Sequence, residues 1–163
     1  MNKLLVLGIG NMLLTDDGVG VFASQELMKE DWPEQVTIRE GGTFTQDIFY
    51  SFKGYSHLLV LDVVHCGGKP GTLYRLTEDA LLKDDKQRLS IHDIDLIDSL
   101  RMAEKLFGTK SELLVLGVEP KDYVTWNIGL SDDVQAVFPE FLALARKEIG
   151  EWLKRYGNEE TRA

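Results

Sequence analysis

The sequence is poor in cysteine and in basic residues, and both shortages limit what the protein can do. Its one cysteine, Cys66, excludes an internal disulfide and favours a reducing compartment, so we expect a cytoplasmic protein. Lys and Arg number 18 against 27 Asp and Glu, a formal net charge of −9. Nucleic acid and anionic membranes bind basic faces, so neither is an expected partner. A cation or a basic peptide remains possible, and we expect a monomer.

Long hydrophobic runs are also missing. The apolar run that starts at Leu4 is far shorter than the roughly 20 residues that span a bilayer, and no signal-peptide cleavage pattern follows it. We therefore expect no membrane partner. The 163 residues suit one compact domain. We place that domain at 1–156 and a polar tail at 157–163.

Short apolar runs alternate with helical patterns along the chain, which predicts a three-layer α/β/α fold with a mostly parallel, twisted sheet of about five strands. One strand is expected to be antiparallel and hairpin-connected, because the link between 57–64 and 72–76 is too short for a parallel crossover. A turn is predicted at Gly41-Gly42, with a short helix after it. The predicted strands are 4–7, 35–39, 57–64, 72–76 and 112–120, and the predicted long helices are 18–30, 90–108 and 131–156.

The opening stretch "LLVLGIGNMLLTDDGVG" has the outline of a nucleotide-binding turn but lacks its essentials. Leu13 stands where the third glycine of G-x-G-x-x-G would be. Two aspartates occupy the helix start, where a pyrophosphate needs a site free of anions. The phosphate-binding loop G-x-x-x-x-G-K-[ST], the serine-hydrolase motif G-x-S-x-G and the aspartic-protease triplets D-T-G and D-S-G do not occur either.

Asp16 and Asp17 can both be explained at the start of a helix, where a carboxylate is stabilised by the helix dipole. Asp16 needs no other explanation than capping. Two adjacent aspartates exceed what capping requires, so structural and functional roles both remain open for Asp17.

Asp62 and His92 are the other possible metal ligands. Asp62 ends the most apolar run of the chain, where a carboxylate is rarely tolerated unless it is paired or bound to a cation. The alternative is a carboxylate that accepts backbone hydrogen bonds at a strand end. His92 is predicted in the first turn of a helix, where the ring stays neutral, as a metal ligand must be. It can equally be a surface histidine. His65 and Cys66 can be ligands or loop residues.

Several motifs together resemble the hydrogenase maturation endopeptidases. "LVLGIGNMLLTDDGVG" is similar to their opening signature, G-[IV]-G-N-x-L-x-x-D-[DE]-G-[VI]-G, and "EGGT" at 40–43 is similar to their D-G-G-T motif. "LLVLDVV" at 58–64, "SIHDIDL" at 90–96, "LVLGVEP" at 114–120 and "IGLSDDV" at 128–134 resemble later family segments in the same order. Glu40 departs from the usual Asp before Gly-Gly-Thr.

The resemblance implies an endopeptidase that removes a carboxyl-terminal extension from the nickel-loaded large-subunit precursor of a nickel–iron hydrogenase. By position, Asp17, Asp62 and His92 match the metal-contacting residues of the family, and Asp17 and Asp62 would also be catalytic. Gly41, Gly42 and Thr43 would bind the substrate. No permanent cofactor is expected, because the substrate supplies the nickel, although other divalent metals can occupy the site.

Two other functions are compatible with the same residues. One is a metal-sensing chaperone that checks nickel loading without cleaving the precursor. The other is a small-molecule hydrolase on the same fold.

Overall fold

The computed structural model describes residues 2–42, 46–83 and 92–157, except for the side chains at 46, 47, 82, 83 and 92–95. Its strands are β1 (Leu4–Ile9), β2 (Val36–Gly42), β3 (His57–Val63), β4 (Leu73–Thr77) and β5 (Glu112–Val118). Its α-helices are α1 (Val19–Met28), α2 (Glu78–Lys83), α3 (His92–Phe107) and α4 (Asp132–Tyr156). Two 3-10 helices span Thr15–Gly18 and Gln46–Phe52.

The strands form one five-stranded sheet in the order β2-β1-β3-β5-β4. β1 pairs in parallel with β2 and β3, and β3 pairs in parallel with β5. β4 is antiparallel to β5. The prediction of a mostly parallel sheet with one antiparallel strand is confirmed.

The predicted hairpin between β3 and β4 is wrong, because β5 lies between them. The connection 64–72 passes over the end of β5, where Gly71 N donates a hydrogen bond to Glu119 O and Glu119 N donates one to Thr72 O, both at 2.8 Å. β5 is mostly buried, whereas β4 is only partly buried. The apolar strand therefore takes the interior position and the more polar strand takes the sheet edge.

The sheet separates two hydrophobic cores because successive strand side chains point to opposite faces. Leu4 and Val6 of β1 pack with α1 and α4, whereas Leu5, Leu7 and Ile9 pack with α3 and the second 3-10 helix. The central strands are buried on both faces, as their continuous apolar sequences predicted.

Gly41 and Gly42 do not form the predicted turn, since they are the last residues of β2. The pairing with β1 runs from Gly8–Glu40 directly to Ile9–Gly42, which leaves Gly41 as a bulge. Gly42 has φ +58°, a backbone conformation that favours glycine. The short helix predicted after them is the 3-10 helix Gln46–Phe52.

Most predicted element boundaries lie close to the observed ones. The helix predicted to end near Gly108 ends at Phe107, and Gly108 follows with φ +67°. Sequence analysis missed α2, which follows β4 directly; the Thr77 hydroxyl there accepts a hydrogen bond from Ala80 N at 3.3 Å. Ser90, where the predicted helix begins, and most of the predicted tail lie outside the described residues.

The two ends of the described chain lie at the amino edge of the parallel strands. Lys3 N donates a hydrogen bond to Ser56 Oγ beside the start of β3. At the other end, Gln35 Nε2 donates one to Gly157 O, and the Tyr156 ring lies 4.6 Å from the His57 ring. Within the described ranges, no helix combines the length and the apolarity that crossing a bilayer requires.

Glycine 20 lets α1 approach the sheet, and this contact generates a stability prediction. A Cβ atom at Gly20 would lie 2.0 Å from Leu61 O and 2.5 Å from Ile9 O, both of which are backbone atoms. We expect Gly20→Ala to lower the free energy of unfolding by about 1–3 kcal/mol or more, because α1 must shift away from the sheet. Urea unfolding measures the change.

Gly150→Ala is the matched control. An added Cβ meets nothing within 4 Å at this position inside α4. We expect this variant to be more stable than the parent by about 0.5–1 kcal/mol, because alanine favours helix. Equal stabilities of the two variants would contradict the close contact of α1 with β1 and β3.

Candidate active site

The predicted site residues that the structure describes gather at the carboxyl edge of the parallel strands. β1, β2 and β3 run in the same direction, so the loop after Ile9, the Gly41-Gly42 end of β2 and Asp62 of β3 share this edge. Gly10 N donates a hydrogen bond to Gly42 O at 2.9 Å, which joins the first loop to the end of β2. In open α/β sheets, this edge is where ligands bind.

Asn11 and Gly10 shape the loop that presents Asp17. Asn11 N donates a hydrogen bond to Asp17 Oδ2, and Leu13 N donates one to Asn11 Oδ1, both at 2.9 Å. Gly10 has φ +139°, and a Cβ atom there would lie 1.8 Å from Asp17 O. The Gly-Asn pair of the opening signature therefore folds the chain back on itself and places Asp17 above the end of β1.

Asp17 and Asp62 lie on two elements that pack against each other. The 3-10 helix that carries Asp17 packs against β3, and Gly20, three residues further on, lies against Leu61, the neighbour of Asp62. Asp17 is half-buried, whereas Asp62 is fully buried. Val63 N donates a hydrogen bond to Asp62 Oδ1 at 2.8 Å. The hydrogen bond from a backbone N–H that the sequence analysis considered for Asp62 is thus present. It does not prevent the Asp62 carboxylate from also binding a ligand.

His92 is the first residue of α3, as the predicted helix start requires. Its side chain and all of Thr43 lie outside the described part of the chain. Among the side chains that are described, no three His, Cys, Asp or Glu residues form a group able to hold a metal ion. The ligand set Asp17, Asp62 and His92 therefore stays a prediction, as does substrate binding by Gly41, Gly42 and Thr43.

The expectation that Asp16 caps its own helix is wrong. Gly18 occupies the N-cap of α1, and no side chain caps that position. The fully buried Asp16 carboxylate accepts four hydrogen bonds from the far part of the chain. Lys121 N and Asp122 N donate to Oδ2 at 2.9 and 3.0 Å, Ser131 N donates to Oδ1 at 2.8 Å, and Ser131 Oγ donates to Oδ2 at 2.7 Å.

Asp16 therefore joins the opening loop to the loop 119–131 and to the start of α4. Ser131, the first residue of the predicted last helix, is the N-cap of α4 but makes no side-chain cap bond. Its hydroxyl is directed to Asp16 instead. Burial of a carboxylate is tolerated when several donors converge on it, which is the arrangement here.

Cys66 and His65 lie in the loop that follows β3. Cys66 is half-buried, and its N donates a hydrogen bond at 3.0 Å to Oε2 of the buried Glu119. The His65 ring packs edge-on against Tyr123 with centroids 4.6 Å apart. These contacts tie the loop after β3 to the loop 119–131.

A cavity of about 550 Å³ opens at the opposite, amino edge of the sheet and includes His57. His57 Nε2 lies 3.2 Å from Glu112 Oε2, and Ser56 Oγ lies 2.8 Å from His57 Nδ1. Burial lowers the pKa of His57 below its ordinary value, against the opposing effect of Glu112. These partners indicate a structural role for His57, and the cavity contains none of the predicted site residues.

Comparison with known proteins identifies the family of the chain. The family model described as "Hydrogenase maturation protease" matches residues 21–148. The Hydrogenase 2 maturation protease of Escherichia coli K12 is 30% identical over 137 residues, covering 83% of each chain. The hydrogenase expression/formation protein HupD of Bradyrhizobium diazoefficiens is 29% identical over 153 residues, covering 93% of this chain and 80% of the relative.

Solved structures give the same result. The hydrogenase maturating endopeptidase HybD from E. coli superposes with a TM-score of 0.79 at 28% identity, covering 91% of this chain and 93% of that one. The [NiFe] hydrogenase maturation protease HybD from Thermococcus kodakarensis gives 0.76 at 25% identity, covering 90% and 99%. The matching family model, relative and solved structure show that this fold belongs to an endopeptidase, a hydrolase of peptide bonds. The chain belongs to the hydrogenase maturation protease family.

Sequence reasoning missed an exposed apolar surface beside the predicted site. We call it the edge patch and define it as Leu13, Tyr123, Val124, Trp126 and Ile128, all of them exposed. A signal was present in the sequence: "YVTWNIGL", 123–130, contains no charged residue in a chain that is 28% charged.

The contrast between Asp16 and Asp17 generates a second prediction. We expect Asp16→Asn to lower the free energy of unfolding by about 2–4 kcal/mol, because the new amide group faces hydrogen-bond donors. Asp17→Asn keeps an acceptor for Asn11 N, so its loss should stay below about 1 kcal/mol. Urea unfolding of both variants tests this difference, and a larger loss in Asp17→Asn would contradict the structural role of Asp16.

Proposed function

We propose that the protein removes a carboxyl-terminal extension from the nickel-loaded large-subunit precursor of a nickel–iron hydrogenase, acting as a cytoplasmic monomer. Membership of the maturation protease family supports the type of substrate. One observation on the structure carries the residue assignment: Asp17 and Asp62 lie on packed, neighbouring elements at the carboxyl edge of the sheet.

The nickel belongs to the substrate in this proposal, and the protease recognises it. Two carboxylates and one imidazole are ligands that suit a divalent transition metal and leave coordination positions for the precursor's own ligands. Asp17 and Asp62 supply the carboxylates, and His92, at the start of α3, supplies the imidazole. A precursor without nickel lacks this anchor, so its extension is not positioned at the site and is not cleaved.

Hydrolysis then needs a water molecule beside the bound peptide. A carboxylate of the Asp17–Asp62 pair accepts a proton from the water as its oxygen adds to the scissile carbonyl carbon. The C–N bond breaks, and the proton passes to the departing amine. Gly41 and Gly42 border the same edge. Together with Thr43, which follows them in sequence, they bind the extended tail, where small residues let the backbone of the substrate approach.

The test compares nickel-loaded and nickel-free precursor by mass spectrometry after incubation with the protein. We expect only the loaded precursor to become shorter. Loaded precursor that keeps its full mass would contradict the endopeptidase assignment for this substrate and favour the chaperone. Equal cleavage of both forms would contradict nickel recognition, and turnover of small esters or amides without any precursor would favour the small-molecule hydrolase.

Variants of Asp17, Asp62 and His92 test the assignment of the site residues. We expect Asp17→Asn and Asp62→Asn each to slow cleavage by at least about 100-fold, because a carboxylate that holds the metal or the water is lost. His92→Ala should weaken the preference for loaded precursor. Asp98→Asn, an exposed carboxylate on α3, is the control and should cleave at the parent rate. An Asp62→Asn variant that folds and cleaves like the parent would remove Asp62 from the site.

A further inference from the structure

The edge patch combines large apolar side chains with unusual exposure. Trp126 is 74% exposed, Ile128 70% and Val124 69%, and Leu13 and Tyr123 add to the same edge of the molecule. Exposed apolar residues grouped in this way mark interaction surfaces, and tryptophan and tyrosine are frequent at the energetic centre of such surfaces.

The backbone beneath the edge patch is held in place by the opening loop. Asn127 N donates a hydrogen bond to Leu13 O at 2.9 Å, and Thr15 N donates one to Asn127 O at 3.0 Å. Thr15 Oγ1 also donates to Thr125 O at 2.7 Å. Thr15 has φ +49°, a strained conformation for a β-branched residue that these bonds maintain. The apolar side chains are therefore presented by an ordered backbone, which reduces the entropy lost on binding.

The charge distribution limits what can cover the edge patch. Residues 123–130 carry no charge, and the flanking residues are acidic on balance, since Asp122, Asp132 and Asp133 outnumber Lys121, whose Nζ lies 3.8 Å from Asp133 Oδ1. Anionic lipid surfaces and nucleic acid would be repelled by these flanking carboxylates. An uncharged, apolar protein surface is the complementary partner.

The edge patch is continuous with the proposed site. Asp16, next to Asp17 in sequence, binds the backbone at 121–122 and at Ser131, on both sides of the patch loop. Tyr123 packs on His65, three residues after Asp62. A protein substrate that reaches Asp17 and Asp62 therefore lies beside the loop that carries Trp126 and Ile128.

We propose that the edge patch binds an apolar surface on the folded body of the hydrogenase precursor, outside the extension that is removed. This inference rests on the proposed function. The acidic site then recognises the metal and the tail, while the edge patch supplies affinity for the rest of the substrate.

The test measures binding of nickel-free precursor, whose extension stays in place, to the immobilised protein. We expect Trp126→Ala and Ile128→Ala each to weaken binding by about tenfold or more, because each removes a large apolar contact. Leu106→Ala is the matched control: Leu106 is 58% exposed but lies at the far end of α3. It should change the dissociation constant by less than about twofold. Equal affinities for the parent, Trp126→Ala and Ile128→Ala would overturn the inference.

Cleavage kinetics separate this inference from the proposed function. With nickel-loaded precursor, Trp126→Ala should raise KM. At a saturating concentration of precursor, the cleavage rate of this variant should equal that of the parent. A parent protein that cleaves nothing contradicts the proposed function, while binding that depends on Trp126 still supports the inference. If the parent and both patch variants cleave the precursor with the same KM, the inference about the edge patch is overturned and the proposed function is not.

Other occupants are tested with the same variants. Phosphatidylcholine vesicles, with and without phosphatidylserine, test a lipid surface, and light scattering after gel filtration tests a second copy of the chain. Vesicle binding or dimer formation that Trp126→Ala abolishes, with unchanged affinity for the precursor, would overturn the inference. Neither should occur if the precursor is the occupant.

Discussion

The buried carboxylate of Asp16 is the interaction on which the carboxyl edge depends. It draws together the opening loop, the loop 119–131 and the first turn of α4, with partners more than 100 residues away in sequence. Hydrogen-bond donors from these segments converge on the carboxylate and join the segments at this edge. Asp17 on one side and Trp126 on the other both lie on segments that this buried group joins.

Two neighbouring aspartates thus have different surroundings, and sequence alone could not assign them. Asp16 and Asp17 are adjacent, chemically identical, and equally suited to a helix start. The backbone turn of the 3-10 helix Thr15–Gly18 directs one carboxylate inward to distant amides and leaves the other half-exposed beside Asn11. Only the partners of Asp16, which come from the other end of the chain, decide which residue is structural.

Much of the fold could be predicted because strand and helix signals are local. The apolar runs of β1, β3 and β5 and the helical stripe of α4 were visible in the sequence, as was the antiparallel direction of β4. The pairing of β4 with β5 could not be predicted, because the order of the strands in the sheet depends on how polar each strand is relative to the others. Asp17 and Asp62 were named from their motifs, and both lie at the carboxyl edge of the sheet, whereas the edge patch became visible only once exposure was known.

The position of both chain ends has a practical consequence. Lys3 and Gly157 lie beside the starts of the parallel strands, at the pole of the molecule opposite the acidic residues and the exposed tryptophan. A surface-immobilisation anchor attached at this pole leaves the opposite face, which the proposal assigns to the substrate, uncovered. Immobilised protein can therefore present that face unobstructed to a partner as large as a folded hydrogenase subunit.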